Sequence, residues 1–218
     1  MTRAEEDYIK AIFKIAEREK SMVHTNSIAS ALNTSAASVT DMLKKLKTKG
    51  LVTYKRYKGA YLTQEGNKVA TLLIRKHRLW EYFLVHKLKF TWDQVHNIAE
   101  ELEHIQSEDL INRLDNYLGN PRFDPHGDPI PNAEGKFTIR SQYSLSDLYA
   151  GEKGIVLGVK DHDDEFLRYL SGEKIKLGSE LHIIQVLPFD RSMDIAVDGN
   201  SPVRLSQGIA GSILVRRK

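Results

Sequence analysis

Residues 25–63 read TNSIASALNTSAASVTDMLKKLKTKGLVTYKRYKGAYLT, and their pattern decides the fold of the N-terminal part of the chain. Residues 27–32 predict a short helix, with Thr25 or Asn26 as its N-cap. The polar break Asn33-Thr34-Ser35 follows. Residues 36–49 predict a second helix with Val39, Met42, Leu43 and Leu46 as its apolar stripe, stopped by Gly50 in the usual C′ manner. Residues 51–63 predict two short strands joined by a basic turn around Lys58-Gly59. Helix, turn, helix and basic hairpin form the winged helix-turn-helix plan, which implies double-stranded DNA as a partner. A recognition helix must bury one face and offer small polar groups at its N-terminal end to base edges. Ser35, Ser38, Thr40 and Asp41 occupy that end. Lys44, Lys45 and Lys47, with Arg56 and Lys58 of the turn, are placed to reach phosphates. A solvated helix and hairpin would carry the same lysines, so the order of elements is what favours DNA.

Outward from this stretch, residues 3–19 predict an amphipathic helix with Tyr8, Ile9, Ile12, Phe13 and Ala16 at helical spacing. Residues 64–87 predict a long helix. Its stripe of Val69, Leu72, Leu73, Lys76, Leu79, Trp80, Phe83 and Leu84 is longer than the first sixty residues can cover. That suits a homodimer interface, and dimers suit palindromic operators. Helices are expected at about 92–105 and 107–118. Residues 119–135, GNPRFDPHGDPIPNAEG, hold four of the six prolines and predict a linker or an ordered irregular loop. Beyond it, short apolar runs at 154–159, 180–186, 193–197 and 211–215 predict a small β-barrel over 141–218. The expected architecture is α+β and mainly α. It comprises a DNA-binding domain at 1–63, a helical domain at 64–135 that ends in the Pro-rich linker, and the β-domain.

The 218 residues contain no cysteine. Disulfides, thiolate nucleophiles, iron–sulfur clusters and Cys-based zinc sites are therefore excluded. The N-terminus lacks an apolar signal segment, and no apolar run approaches the ~18 residues of a membrane span. A cytoplasmic protein with no membrane partner and no organic cofactor is expected. The net charge is only +3, but charge is segregated. From Asp41 to Lys58 there are seven Lys/Arg against one acid, and from Asp93 to Asp109 six acids and no Lys or Arg.

The acidic segment carries the second chemical signal. His96, Glu100, Glu103 and His104 fall on one stripe of a helix, beside the apolar stripe Val95, Ile98, Ala99, Leu102 and Ile105. His77 and Glu81 repeat the i, i+4 theme on the long helix. Carboxylates at the border of a packed face repel one another unless a cation neutralises them, and a divalent ion does so. A solvated charged face is the competing explanation for each pair alone.

At this point the chain resembles the diphtheria-toxin-repressor family of iron- and manganese-dependent repressors along essentially its whole length. The resemblance rests on Glu6-Asp7-Tyr8-Ile9, residues 75–81 (RKHRLWE), Val95-His96 through Leu102-Glu103-His104, and residues 125–131 (PHGDPIP). It implies a C-terminal SH3-like (FeoA-like) domain. It also implies a primary, activating metal site of Asp7, Glu100, Glu103 and His104, and an ancillary site of His77, Glu81 and His96 completed from the C-terminal domain. His162 and Glu165 are the candidates to complete it, and His126 with Asp124 is another second-site candidate, for which the structural demands of the proline-rich segment are an equal explanation. The primary set is all oxygen and imidazole, which suits Mn²⁺, with Fe²⁺ as the alternative and Zn²⁺, Co²⁺ or Cd²⁺ as substitutes in vitro. Lys10 stands where the smaller manganese sensors have a second acid, which argues against a closely spaced two-metal cluster. The implied function is a metal-activated transcriptional repressor of metal-uptake genes. Two rivals remain: a metal-independent winged-helix regulator, and a metal-dependent hydrolase. The hydrolase is opposed by the absence of HExxH, GxSxG or a Gly-rich phosphate loop.

Overall fold

Thr2 opens the first helix, α1 (Arg3–Glu19), with a capping box. Its side chain accepts from the Glu5 N–H, and Glu5 returns the bond to the Thr2 N–H. The computed structural model describes residues 1–55 and 58–218, so the candidate Arg56 lies outside the described residues. Two compact units form. The first comprises Met1–His77, Glu100–Arg113 and Pro131–Lys136, and the second comprises Arg78–Ala99, Leu114–Ile130 and Phe137–Lys218.

In the first unit, α2 (Thr25–Ala31) and α3 (Ala36–Thr48) follow α1. Thr25 is the first helical residue of α2 rather than its cap; His24 takes that place without a side-chain bond. Ser35 caps α3, its Oγ accepting the Ser38 N–H at 3.1 Å. Val39, Leu43 and Leu46 of α3 are fully buried against Ile9, Ile12 and Ile28. Burying Leu or Ile is worth about 1.5–3 kcal/mol per side chain, so this stripe fixes how α3 sits on α1. The hairpin pairs β1 (Val52–Lys55) with β2 (Gly59–Leu62) in antiparallel register, Val52 opposite Leu62 and Lys55 opposite Gly59. Val23 bridges to Ala60 and ties the segment after α1 to the wing.

The long helix α4 (Gln64–His86), α5 (His96–Leu102) and α6 (Glu108–Tyr117) follow. The α5 helix is shorter than its apolar periodicity suggests. Residues 92–95 form turns, with the Gln94 side chain accepting from the Thr91 N–H.

In the second unit, the C-terminal sheet is antiparallel with strand order β3-β8-β4-β5-β6-β7. These strands are β3 (Tyr143–Ser144), β4 (Lys153–Val159), β5 (Glu180–Val186), β6 (Met193–Val197), β7 (Val203–Leu205) and β8 (Ile213–Arg217). The order leaves β3 and β7 at its two ends, so the expected barrel is not closed by hydrogen bonding between them. Two helices were not foreseen, α7 (Asp164–Gly172) and the short α8 (Gln207–Ser212). The 119–135 segment is an ordered irregular loop in its second-unit part. Val159 N–H donates to the His126 carbonyl at 2.9 Å, and Arg140 donates to the carbonyls of Gly127 and Leu157. Gly127 has φ +88°, and a Cβ there would lie 2.1 Å from the Leu157 carbonyl oxygen. Only glycine lets the loop come this close to β4.

Candidate metal centre

Three acids in a row start α1, and the structure sends them to different partners. Asp7 meets α5 and the residues that follow it. Asp7, Glu103 and His104 each offer one ligand atom, and the three atoms lie within 4.8 Å of one another. His104 Nε2 is 3.1 Å from Asp7 Oδ1 and 3.9 Å from Glu103 Oε1. Both His104 Nε2 and Glu103 Oε1 are buried and make no hydrogen bond among the described residues. Orphaned buried acceptors cost about 1–3 kcal/mol each, more when charged. Two of them beside the Asp7 carboxylate are what a divalent cation would satisfy. Burial pushes the Asp7 carboxyl above its ordinary value, and Glu100 and Glu103 push the same way, against His104 and Arg3. The donor set of imidazole and carboxylate oxygen fits a first-row divalent ion.

Neighbouring residues hold these donors in place. Glu6, 4% exposed, brings one carboxylate oxygen to 2.6 Å from His104 Nδ1 and accepts from Gln106 with the other at 2.8 Å. With the His104 proton on Nδ1, this bond turns the Nε2 lone pair toward Asp7, the usual carboxylate–histidine device of metal sites. On the other side stands Lys10, also 4% exposed. Its ammonium donates to Glu100 at 2.6 Å and to Glu103 Oε2 at 2.5 Å, and lies 3.3 Å from His77 Nδ1. His77 Nδ1 is itself 2.6 Å from Glu103 Oε2. Glu103 is thus divided, with Oε2 on Lys10 and His77 and Oε1 toward Asp7 and His104. Burial works against ionisation of Glu100, but Lys10 overrides it and holds the carboxyl at about 2. Glu100, expected as a primary ligand, is therefore engaged with Lys10 here. Sequence reading missed Glu6 as a partner of His104. It named Lys10 only for what that position lacks, because the contacts of Glu6 with His104 and of Lys10 with Glu103 join residues 98 and 93 positions apart.

A second cluster lies wholly within the second unit. Glu81, Asp124 and His126 are all buried, with one ligand atom each within 4.8 Å. His126 Nε2 is 2.8 Å from the Trp92 carbonyl, while Nδ1 is buried without a hydrogen bond among the described residues and 3.6 Å from Glu81 Oε2. With Nε2–H donated to the Trp92 carbonyl, Nδ1 is the ring position that takes a proton or an ion beside Glu81. Asp124 Oδ1 accepts the backbone N–H groups of His126 and Asp128 at 2.8 and 2.9 Å. Burial drives the Asp124 carboxyl up, and Glu81 and Asp128 add to that against Arg78 and His126. Burial alone would pull His126 down, yet Glu81, Asp124 and the Trp92 carbonyl outweigh it and raise it. Two acids and an imidazole buried together again call for a cation. His96 Nδ1 is 3.3 Å from Glu81 Oε1, so those two expected partners do meet. The His162 ring stacks on His126 with centroids 4.9 Å apart, and Glu165 is exposed in the first turn of α7. Neither belongs to a ligand-grade group of three among the described residues.

The surface expected to face DNA is open. Ser35, Ser38, Asp41, Lys44, Lys45, Lys47 and Lys58 are exposed. Lys44 pairs with Asp41 at 2.9 Å, and the Thr40 hydroxyl donates into its own helix at the Ala36 carbonyl.

These features coincide with known proteins. The model for the iron dependent repressor N-terminal DNA binding domain matches residues 1–60. That for the iron dependent repressor metal binding and dimerisation domain matches 63–132, and the FeoA domain matches 143–217. A solved manganese-dependent transcriptional repressor in complex with manganese superposes with a TM-score of 0.85 at 35% identity, covering 98% of this chain and 100% of its own. The chain belongs to the iron- and manganese-dependent repressor family. Among sequence relatives, the regulator MntR of Shouchella clausii is 36% identical over 114 residues, 52% of this chain and 78% of its own length. The iron-dependent repressor IdeR of Mycobacterium tuberculosis is 33% identical over 126 residues, 58% of this chain. The match spans about half, 54%, of that repressor's length. No described helix of this family member is long and apolar enough to cross a membrane.

Proposed function

We propose that this protein is a metal-activated transcriptional repressor whose dimer binds palindromic operator DNA and controls metal-uptake genes. The observation that carries the reading is the Asp7, Glu103 and His104 cluster, with its two orphaned buried acceptors and with Asp7 on the helix that packs against α3. Mn²⁺ is the favoured ion because the donors are hard, with Fe²⁺ the alternative. Asp7, Glu103 and His104, with Glu100 beside them, hold the activating ion. Glu81, Asp124 and His126 hold a second, with His96 beside Glu81, and His77 also supports Glu103.

The bound ion supplies the positive charge that lets these carboxylates stay close without repulsion. The residues do the rest. Asp7 belongs to the helix bearing the reading head, whereas Glu103 and His104 follow α5. Holding them together restricts α1, and with it α3. Metal must then favour the DNA-competent arrangement, and DNA must reciprocally tighten metal binding, typically with about 1–3 kcal/mol of coupling. Ser35, Ser38, Thr40 and Asp41 face base edges, and the α3 lysines with Lys58 face phosphates.

A second reading has one observation in its favour. Lys10 already neutralises part of the acidic cluster, as a metal-independent regulator would require. The two are separated by selecting DNA from a random library with the full-length protein and measuring its binding by fluorescence anisotropy. The titrations use Mn²⁺, anaerobic Fe²⁺, Zn²⁺ and EDTA. The metal-switch reading expects binding with Mn²⁺, loss in EDTA, and loss in Asp7→Asn with the dimer retained. Equal binding in EDTA supports the second reading and overturns the first.

A further inference from the structure

The first acid of the α1 trio, Glu5, is neither a ligand candidate nor exposed. Its side chain is 0% exposed, a rare state for a carboxylate unless it is paired. A helix cap needs one carboxylate oxygen, and Glu5 Oε2 provides it by accepting the Thr2 N–H at 3.0 Å. The remaining capacity goes to α3. Lys49 donates to Oε1 at 2.7 Å and to Oε2 at 2.9 Å, and Lys45 reaches Oε1 at 3.0 Å. Lys45 is in the last turn of α3 and Lys49 is its C-cap. The partial negative charge at a helix C-terminus would repel Glu5. The two lysines stand between them and convert repulsion into attachment.

The arrangement joins two functions through a single helical turn. Glu5 grips the end of the helix that carries the DNA-facing residues. Two positions on, Asp7 meets His104, while Glu6 orients the same His104. Residues 5 to 7 are rigidly related because they share one turn of α-helix. A force on Asp7 therefore reaches Lys45 and Lys49 through Glu5 without any change in backbone conformation. Lys45 and Lys49 are half exposed, and their charge is committed to this contact rather than wholly available to phosphates.

We propose that Glu5 is a positioning residue that transmits metal occupancy at the Asp7 cluster to the recognition helix by pairing with Lys45 and Lys49. The inference rests on the metal-switch reading above. Its test is a comparison of two quantities in the full-length protein. One is Mn²⁺ affinity without DNA, by calorimetry. The other is the gain in operator affinity between EDTA and saturating Mn²⁺, by anisotropy. Glu5→Gln keeps the capping oxygen and the volume but loses the charge. It is expected to retain Mn²⁺ affinity while its Mn²⁺-induced gain falls by about tenfold, within the 5–150-fold span usual for such couplings. The double variant Lys45→Gln/Lys49→Gln breaks the same link from the other side and carries the test if Glu5→Gln does not fold. An unchanged gain in a folded variant overturns the inference alone. An equal loss of DNA binding with and without Mn²⁺ also overturns it, because lost phosphate contacts do not change the ratio. Absence of any gain in the unmodified protein overturns the metal-switch reading, and this inference with it.

Discussion

Glu6 and Lys10 decide how the Asp7 cluster is built, and each makes a distinct prediction. Glu6 holds the His104 ring from its Nδ1 side. Loss of such an outer partner typically costs about 10–100-fold in metal affinity, so Glu6→Gln should weaken Mn²⁺ binding by that factor while the fold persists. Calorimetry with circular dichroism checks both halves. Lys10 neutralises Glu100 and Glu103 in a site where Glu103 is fully buried. Lys10→Met leaves a buried carboxylate uncompensated and should destabilise the metal-free protein by about 3–5 kcal/mol, read from urea denaturation. Added Mn²⁺ should recover part of that loss. The sequence disclosed the ligand types, because His and Glu at i, i+4 spacing mark one face of a helix. It did not disclose that Lys10 reaches Glu103, 93 positions away. Nor did it disclose that Glu103 splits its two oxygens between a lysine and the ligand group. Such pairings depend on how α1 packs on the helices, which no local spacing encodes.

At the scale of elements, the boundaries of α1, α3 and α4 follow directly from caps and apolar stripes, so they were readable. Helix α7 was not. Residues Asp161 to Glu165, which lead into it, read as acids and a histidine suited to a metal, which obscured their local role. Asp163 Oδ1 accepts the N–H groups of Glu165 and Phe166 and caps α7, and Leu167 and Leu170 bury in the C-terminal core. The 119–135 loop offered His126 and Asp124 only as an open possibility. Their value as a site came from Gly127, whose close approach to β4 fixes the loop. The C-terminal sheet carries a pH signature of its own. Hydrogen bonds from Lys153 and Lys218 hold the Glu180 carboxyl at about 2, against an ordinary 4.5. A depressed carboxylate stabilises the fold above the unfolded value and loses that contribution as pH falls through the folded one. Stability of the sheet is expected to decline between pH 4.5 and 2. Glu180→Gln should flatten that part of the profile in thermal melts; an unaltered profile contradicts the pairing.

In the whole molecule, α1 joins a reading head to an acidic cluster. Family membership fixes the kind of protein, and the positions of Asp7, Glu103 and His104 support the way it is switched. A head that simply bound DNA would need no ligand atom on α1. The most direct test of the central claim is reciprocity. Mn²⁺ binding isotherms of the full-length protein are recorded with and without saturating operator DNA. Tighter Mn²⁺ binding is expected in the presence of DNA, by the same factor with which Mn²⁺ tightens DNA binding. Superimposable isotherms would contradict it.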